Sequence, residues 1–147
     1  MESLHRTGVL VRRPVAVGEV RLGVAVDALF DRGLARLVGF DVGCRHGAHH
    51  FLPFPAAEVK EDRLAVESAL VLLDRELDFY RAGSRAFSDL VGEEVSLAGE
   101  RIGPLEDLLV DREGNVRRVV VSGPAGAVEL EPGPALAVAN PVLRPAV

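Results

Sequence analysis

Four side chains able to bind a metal, or to act as nucleophile and base, fall in one short stretch: Cys44, His46, His49 and His50. Thiolate and imidazole are the usual zinc ligands, and a single loop can gather three of them. Their spacing matches no standard zinc finger, and His5 is the only other histidine available as a second ligand. The favoured reading is a polar hairpin loop with incidental histidines, so no metal is assigned. The loop alone does not place a base beside the Cys44 thiol either. Asp27, Asp31, Asp107 and Asp111 suggest paired carboxylates for acid–base or cation chemistry. They recur at matched places in two parts of the chain, where strand ends and turns need acceptors for loop N–H groups. A structural role is expected for all four. Gly23 and Gly103 lie in no glycine series followed by Lys and Ser/Thr, so they form no phosphate loop; a bulge or tight bend explains them. Ser122-Gly123 lacks the flanks of a nucleophile elbow. No catalytic, cofactor-binding or metal-ligating residue is assigned, and the expectation is a protein that is not an enzyme.

The elements that must carry these residues show themselves through a repeated phrase. Residues 21–32 and 101–112 align at an offset of 80 (101 − 21 = 80), with Arg21/Arg101, Gly23/Gly103, Asp27/Asp107, Leu29/Leu109, Asp31/Asp111 and Arg32/Arg112 identical. Self-similarity at a fixed period signals a duplicated structural unit. Units this small sit near the lower limit for an independent core, so the halves are expected to pack on each other. Of the 147 residues 48% are hydrophobic, enough for a core, and the abundance of Val over aromatics favours short buried strands. The net charge of −5 weighs against general nucleic-acid binding. One cysteine fits a reducing compartment. The longest apolar stretch, Ala69 to Leu73, is far too short to span a bilayer. A soluble, cytoplasmic protein without membrane insertion is expected.

Along the chain, residues 1–8 read as a loose leader and Val9-Leu10-Val11 as a first strand. Leu22, Val24, Val26, Ala28 and Phe30 alternate as a strand with one apolar face, and Leu29 breaks the alternation, which implies burial on both sides or a bulge. Asp31-Arg32-Gly33 and Asp111-Arg112-Glu113-Gly114-Asn115 are turn signals. Strands at 34–42 and 116–122 follow, making two hairpins. Arg63 to Glu67 and Ala135 to Ala139 read as matching closing strands. Between the halves, Leu70, Leu73, Leu77 and Tyr80 have helical spacing, with Ser68 as a cap and Gly83 as a stop. A short helical connector is expected over 68–83. Ser84 to Asp89 then leads to a strand near Leu90 to Leu97. From Pro132 onward the tail is proline-rich and extended.

These motifs, in this order, resemble the PRC-barrel family. The likeness is carried by Gly99-Glu100-Arg101-Ile102-Gly103, Asp107-Leu108-Leu109-Val110-Asp111 and Gly114-Asn115-Val116. In the first half it is carried by Gly18, Leu22-Gly23, Asp27-Ala28-Leu29-Phe30-Asp31, Leu37-Val38-Gly39-Phe40, Phe51-Leu52-Pro53-Phe54 and Glu58-Val59. It covers most of residues 9–140 as two tandem copies. The resemblance implies an all-β protein of two small PRC-type β-barrels packed together, one spanning 1–79 and the other 80–147. The family includes the cytoplasmic part of the photosynthetic reaction-centre H subunit and the C-terminal domain of a ribosome-maturation factor. The sequence is expected to depart from the first in having no transmembrane helix, and from the second in that its first half is itself PRC-like. The family has no shared catalytic residues to transfer.

Together these readings lead to the expectation of an interaction module that binds a protein, with nucleic acid contacted only inside a ribosomal or RNA–protein assembly. Small barrels expose strand edges, so self-association is also expected to be open to it. Arg12-Arg13 and Arg117-Arg118 are the adjacent basic pairs, with Arg32, Arg36, Arg45 and Arg112 able to join them; no aromatics interleave for base stacking. Phe79-Tyr80 is expected to staple the halves, with Phe79→Ala costing several kcal/mol.

Overall fold

The computed structural model describes residues 3–74 and 76–138. The chain is mostly β, in two sheets of antiparallel and mixed pairing. Its elements in order are β1 (His5–Arg6), α1 (Thr7–Leu10), β2 (Pro14–Val17), β3 (Val20–Phe30), β4 (Leu37–Cys44), β5 (His49–Pro53), β6 (Glu58–Val59), β7 (Leu64–Ala65), α2 (Leu77–Gly83), β8 (Arg85–Ala86), α3 (Phe87–Leu90), β9 (Glu94–Leu97), β10 (Glu100–Val110), β11 (Val116–Gly123), β12 (Gly126–Leu130) and β13 (Leu136–Val138). One sheet has the order β5-β4-β3-β2-β7-β6, with β8 added to β3; the other has β12-β11-β10-β9-β13, with β1 added to β10. Neither sheet closes into a barrel among the described residues. The end of the tail, from residue 139, lies outside the described residues.

The repeated phrase forms the two long strands, β3 and β10. Each serves two neighbours. The first part of β3 pairs with β2 and the rest with β4; β10 divides in the same way between β9 and β11. The glycines of the phrase make this bend possible. A Cβ on Gly23 would sit 2.6 Å from the carbonyl oxygen of Gly43. Gly103 has φ 156° and presses on the Ser122 carbonyl, at a register shift in the β9 pairing. Close backbone approach at a corner therefore excludes a side chain at both positions. Further shifts at Ala25/Asp27 and Leu29/Phe30 reset which face is inward. As a result Ala25 is buried while Val26 is exposed, against the simple alternation expected for this strand.

The leader of each half pairs with the other half. His5 and Arg6 lie opposite Val110 and Leu109, while Arg85 and Ala86 lie opposite Phe30 and Leu29. The one-turn helices α1 and α3 follow these crossing strands. Residues 5–8 of the expected loose leader are thus in a strand and a helical turn, residues 1–2 lie outside the described residues, and Val9-Leu10-Val11 is not a strand. Thr7 and Leu10, three apart, are buried while Val9 faces solvent, which a helical turn satisfies and an extended strand does not. The same holds after the connector, where a helical turn at Phe87–Leu90 precedes β9.

The halves also join at their centre, where Leu37 N–H donates to Gly114 O (2.7 Å) and Val116 N–H to Ala35 O (2.9 Å). One hydrophobic cluster runs through both, from Leu10, Phe30, Phe40 and Leu52 to Leu90, Leu105, Leu108 and Val121. Fully burying each such side chain contributes about 1.5–3 kcal/mol, so this shared core is the main reason the halves stay together.

The connector differs from the single helix expected. Ser68 Oγ does accept from Leu70 N–H (3.1 Å), but it caps only a 3-10 turn at Ala69–Val71. Leu73 is extended and exchanges two backbone bonds with Phe51 (2.9 and 2.8 Å). Helix α2 begins only at Leu77. Pairing to the edge of β5 satisfies the Leu73 backbone at the expense of helix continuity. The closing strands are not equivalent either: β7 runs parallel to β2, whereas β13 runs antiparallel to β9. The first half has a β6–β7 hairpin with no counterpart among the described residues of the second.

Candidate functional site

The Cys44 loop divides its residues among different tasks. Cys44 ends β4, and His46 sits in a tight 3-10 turn with φ 64°. His49 Nδ1 lies 2.7 Å from Asp41 Oδ1, and the other Asp41 oxygen accepts from Arg81 Nη2 of α2 at 2.5 Å. His50 Nδ1 faces the Asp74 carboxylate. Among the described residues no three His, Cys, Asp or Glu side chains are grouped to hold a metal ion. Burial, and then the charges of Asp74 and Asp41, push the Cys44 thiol up from its ordinary pKa. A protonated thiol is a poor ligand and a poor nucleophile.

The four repeated aspartates are backbone acceptors. Asp31 Oδ1 takes the N–H groups of Ala35 (2.7 Å) and Arg36 (3.1 Å). Asp111 takes those of Glu113 (2.9 Å) and Asn115 (3.0 Å), and its other oxygen takes Asn115 Nδ2 and Arg117 Nε. Burial alone would raise the Asp111 pKa, but the bonds from Asn115, Arg117 and Glu113 outweigh it and hold the carboxyl below its ordinary value. Asp27 and Asp107 hold the exchanged segments. Asp27 accepts from Ser88 N–H (3.1 Å) and Ser88 Oγ (2.5 Å), and Asp107 accepts from Gly8 N–H (3.0 Å). Each also takes the N–H of the residue after it. Duplicated carboxylates therefore lock duplicated backbone.

The staple is not where the sequence reading put it. Phe79 is 74% exposed. Its neighbour Tyr80 stacks on Phe51 instead, with ring centroids 4.0 Å apart and planes 10° from parallel. Leu77, Leu29 and Phe51 complete this small cluster on the outer side of the first sheet. The helical turn from Leu77 to Tyr80 and Arg81 sets one face of α2 on the sheet, and Phe79 falls off that face.

A groove opens where α2, β8 and α3 cross the end of β3. Its first part, about 550 Å³, has Leu29 and Leu90 as apolar wall and Asp27, Ser88, Arg32 and Arg85 as polar lining. A second part, about 300 Å³, is lined by Leu34, Val119, Pro132, Leu136 and Val138. Arg32 and Arg85 line both parts, so the two adjoin at this pair. Arg32 comes from the first hairpin turn and Arg85 from the strand that crosses between halves. Arg32 Nη2 donates to Ala82 O (2.8 Å), which anchors the guanidinium at the groove edge. Burial lowers the Arg85 pKa; the Glu93 charge opposes this, and the Arg32 charge adds to it.

Three of the four arginines in the adjacent basic pairs have partners of their own. Arg13 donates to Lys60 O, Arg117 binds Asp111 (2.9 Å), and Arg118 lies 3.9 Å from Glu131. The sequence reading brought Arg32 forward only as a member of a basic surface, and it missed Arg85, Ser88 and the Asp41–Arg81 pair. Asp41 carried a usable signal: it is a lone carboxylate inside an apolar run, Leu37-Val38-Gly39-Phe40-Asp41-Val42. Nothing local marked Arg85, whose position depends on a strand pair formed across 55 residues (85 − 30 = 55).

No protein-family model matches the chain, and no curated protein matches it.

Proposed function

We propose that the chain is a non-enzymatic, cytoplasmic binding module of two PRC-barrel-like units, and that it holds a protein partner in the groove at their junction. The observation that carries this reading is the groove itself, lined by residues of both halves, among them Arg85 and Ala86 of the strand that crosses to β3. A concave, partly apolar site with a few convergent polar groups is the usual form of a recognition site. The repeated carboxylates and the Cys44 loop are occupied with structural bonds, which leaves the groove as the better supported site. Among the described residues no helix is long and apolar enough to cross a membrane. The RNA-associated alternative has less support, because Arg117 is paired with Asp111 and Arg118 lies beside Glu131.

Affinity purification from the native cell tests the proposal. The wild-type chain should capture a discrete protein partner, and Ala82→Trp, which fills the groove from the exposed end of α2, should lose it without a change in melting temperature. Capture of the same partner by the filled variant would count against the groove.

A further inference from the structure

We infer that the outer edge of β12 takes a strand from a partner protein: an extended segment with Lys or Arg opposite Glu129 and an apolar residue on each side of it. Among the described residues no member of β12 lines the groove, so this is a second surface.

The first half shows what such an edge accepts. There β5 pairs with β4 on one side, and on the other Phe51 exchanges two backbone bonds with Leu73 of the connector (2.9 and 2.8 Å). Strand β12 is the matching edge, and Glu129, opposite Val120, stands where Phe51 stands opposite Asp41. Successive residues of a strand turn their backbone groups to alternate edges. The N–H and C=O of Glu129 therefore face away from β11, as those of Phe51 face Leu73. Among the described residues β12 is paired with β11 alone, and nothing fills the place of Leu73. An unpaired strand edge is a template for a further strand, and main-chain bonds are how an extended segment adds to a sheet.

The side chains specify the occupant. In the first half the residue before Leu73, Leu72, packs on the main core, and the residue after it, Asp74, faces His50. The place of His50 is taken in β12 by Val128, which lies opposite the fully buried Val121 yet is 41% exposed. An acid suited to His50 therefore gives way to an apolar residue suited to Val128. On the other flank Leu130 packs on the core in the place of Leu52, so an apolar neighbour fits there as Leu72 does. Between them Phe51 is replaced by Glu129, which is exposed and has no ion pair among the described residues. Opposite charges directly across two strands stabilise the pair, and like charges oppose it. Lys or Arg is thus the fit opposite Glu129. A second copy of the chain would instead bring another Glu129, and another Glu131 beyond it, to the same junction.

The test is selection of short random peptides displayed on phage against the whole chain, followed by affinity measurement on a selected peptide with a fluorescein label. Enrichment of Lys or Arg at one fixed position between two apolar residues is expected. Glu129→Gln should weaken that peptide about two- to fivefold, the size of one cross-strand charge pair. Glu129→Pro removes the outward N–H and no bond to β11, and should weaken it about tenfold or more. Glu129→Lys should turn the selection toward Asp or Glu at the same position, which keeps the inference open to refutation should the proline variant fold poorly. Amide exchange followed by NMR reads the edge itself. In the free chain the Glu129 amide should exchange fast and the Val128 amide slowly, and the selected peptide should slow Glu129. A slow Glu129 amide in the free chain, no enrichment, no fixed basic position, or the same peptides selected by Glu129→Lys overturns the inference. So does a dimer that sedimentation detects in the wild type and not in Glu129→Pro, since the edge then belongs to a second copy.

Discussion

The same row of the sheet has been built twice and finished in opposite ways. In the first half Asp27, Asp41 and Phe51 lie side by side on β3, β4 and β5. In the second the row is Asp107, Val120 and Glu129 on β10, β11 and β12. The first row is roofed by α2: Tyr80 stacks on Phe51, Arg81 and His49 hold the fully buried Asp41, and Leu73 hydrogen-bonds along the edge of β5. Next to it Gly39 leaves room for the ring, since a Cβ there would lie 2.6 Å from Phe51 Cζ. Among the described residues no such helix lies over the second row. The position of Asp41 is taken by Val, which needs no partner, and that of Phe51 by Glu, which tolerates water. Arg118 stands where Gly39 would be and reaches toward Glu131. One fold can therefore carry an outer row that is covered out to the edge strand, or one that is buried at Asp107 and Val120 and open only at the edge, at Glu129, and the residues on the row adapt to the cover. A charged residue on β12 also discourages unwanted pairing at that edge.

The largest expected effect separates these rows directly. Phe51→Ala removes a side chain that is 1% exposed together with its stacking partner's contact, and should cost about 3–5 kcal/mol. Glu129→Ala, at the matched place, should change stability by no more than about 0.5 kcal/mol. Urea denaturation of the two variants measures the difference. Equal losses would mean that the uncovered row is packed as tightly as the covered one.

Much of the covered and uncovered architecture could be read in advance, but not all for the same reason. The long strands, their bends at Gly23 and Gly103 and their turns at Asp31 and Asp111 were legible because they are local and occur twice. The exchange of β1 and β8 was not. Two-residue strands have no periodicity, and their partners lie more than 50 residues away (85 − 30 = 55; 110 − 5 = 105). The opposite direction of β7 and β13 was hidden behind the likeness of Leu64-Ala65-Val66 to Leu136-Ala137-Val138, because sequence similarity in a short strand carries no direction of pairing. The groove combines both difficulties: Arg32 belongs to a legible turn, while Arg85 reaches it only through the exchange.

The turns offer a second, smaller contrast. Asp111 accepts two backbone bonds, an amide and a guanidinium, whereas Asp31 accepts two backbone bonds. Asp111→Ala should cost about 2 kcal/mol and Asp31→Ala about 1 kcal/mol, in proportion to the bonds lost and the charge-assisted one among them. The pH dependence follows from the depressed Asp111 pKa. A carboxyl with a folded pKa below its unfolded value binds fewer protons when folded, so it stabilises fully above the ordinary value of 3.8 and loses that contribution as pH falls through the lower folded value. Asp111→Asn should therefore flatten the acid limb of the stability curve below about pH 4 and leave its slope near neutrality unchanged. An acid limb of wild-type steepness in that variant would show that other carboxyls govern it.

The smallest effect is the most pointed, because it concerns two neighbours on one helix. Helical spacing nominates Tyr80, and adjacency alone brings Phe79 forward with it, but a helix seven residues long has room for only one narrow buried face. Leu77 begins that face, and Tyr80 and Arg81 continue it three and four residues later. Phe79 lies between, touching Tyr80 only edge to face at 5.4 Å. Phe79→Ala should therefore shift stability by no more than about 0.5 kcal/mol, the range of exposed substitutions, and not by the several kcal/mol expected of a staple. Tyr80→Ala should fall well above it, since it uncovers Phe51. Thermal denaturation of the pair decides which side chain fastens the connector. A large loss for Phe79→Ala with little for Tyr80→Ala would place the roof of the first sheet on the other face of α2.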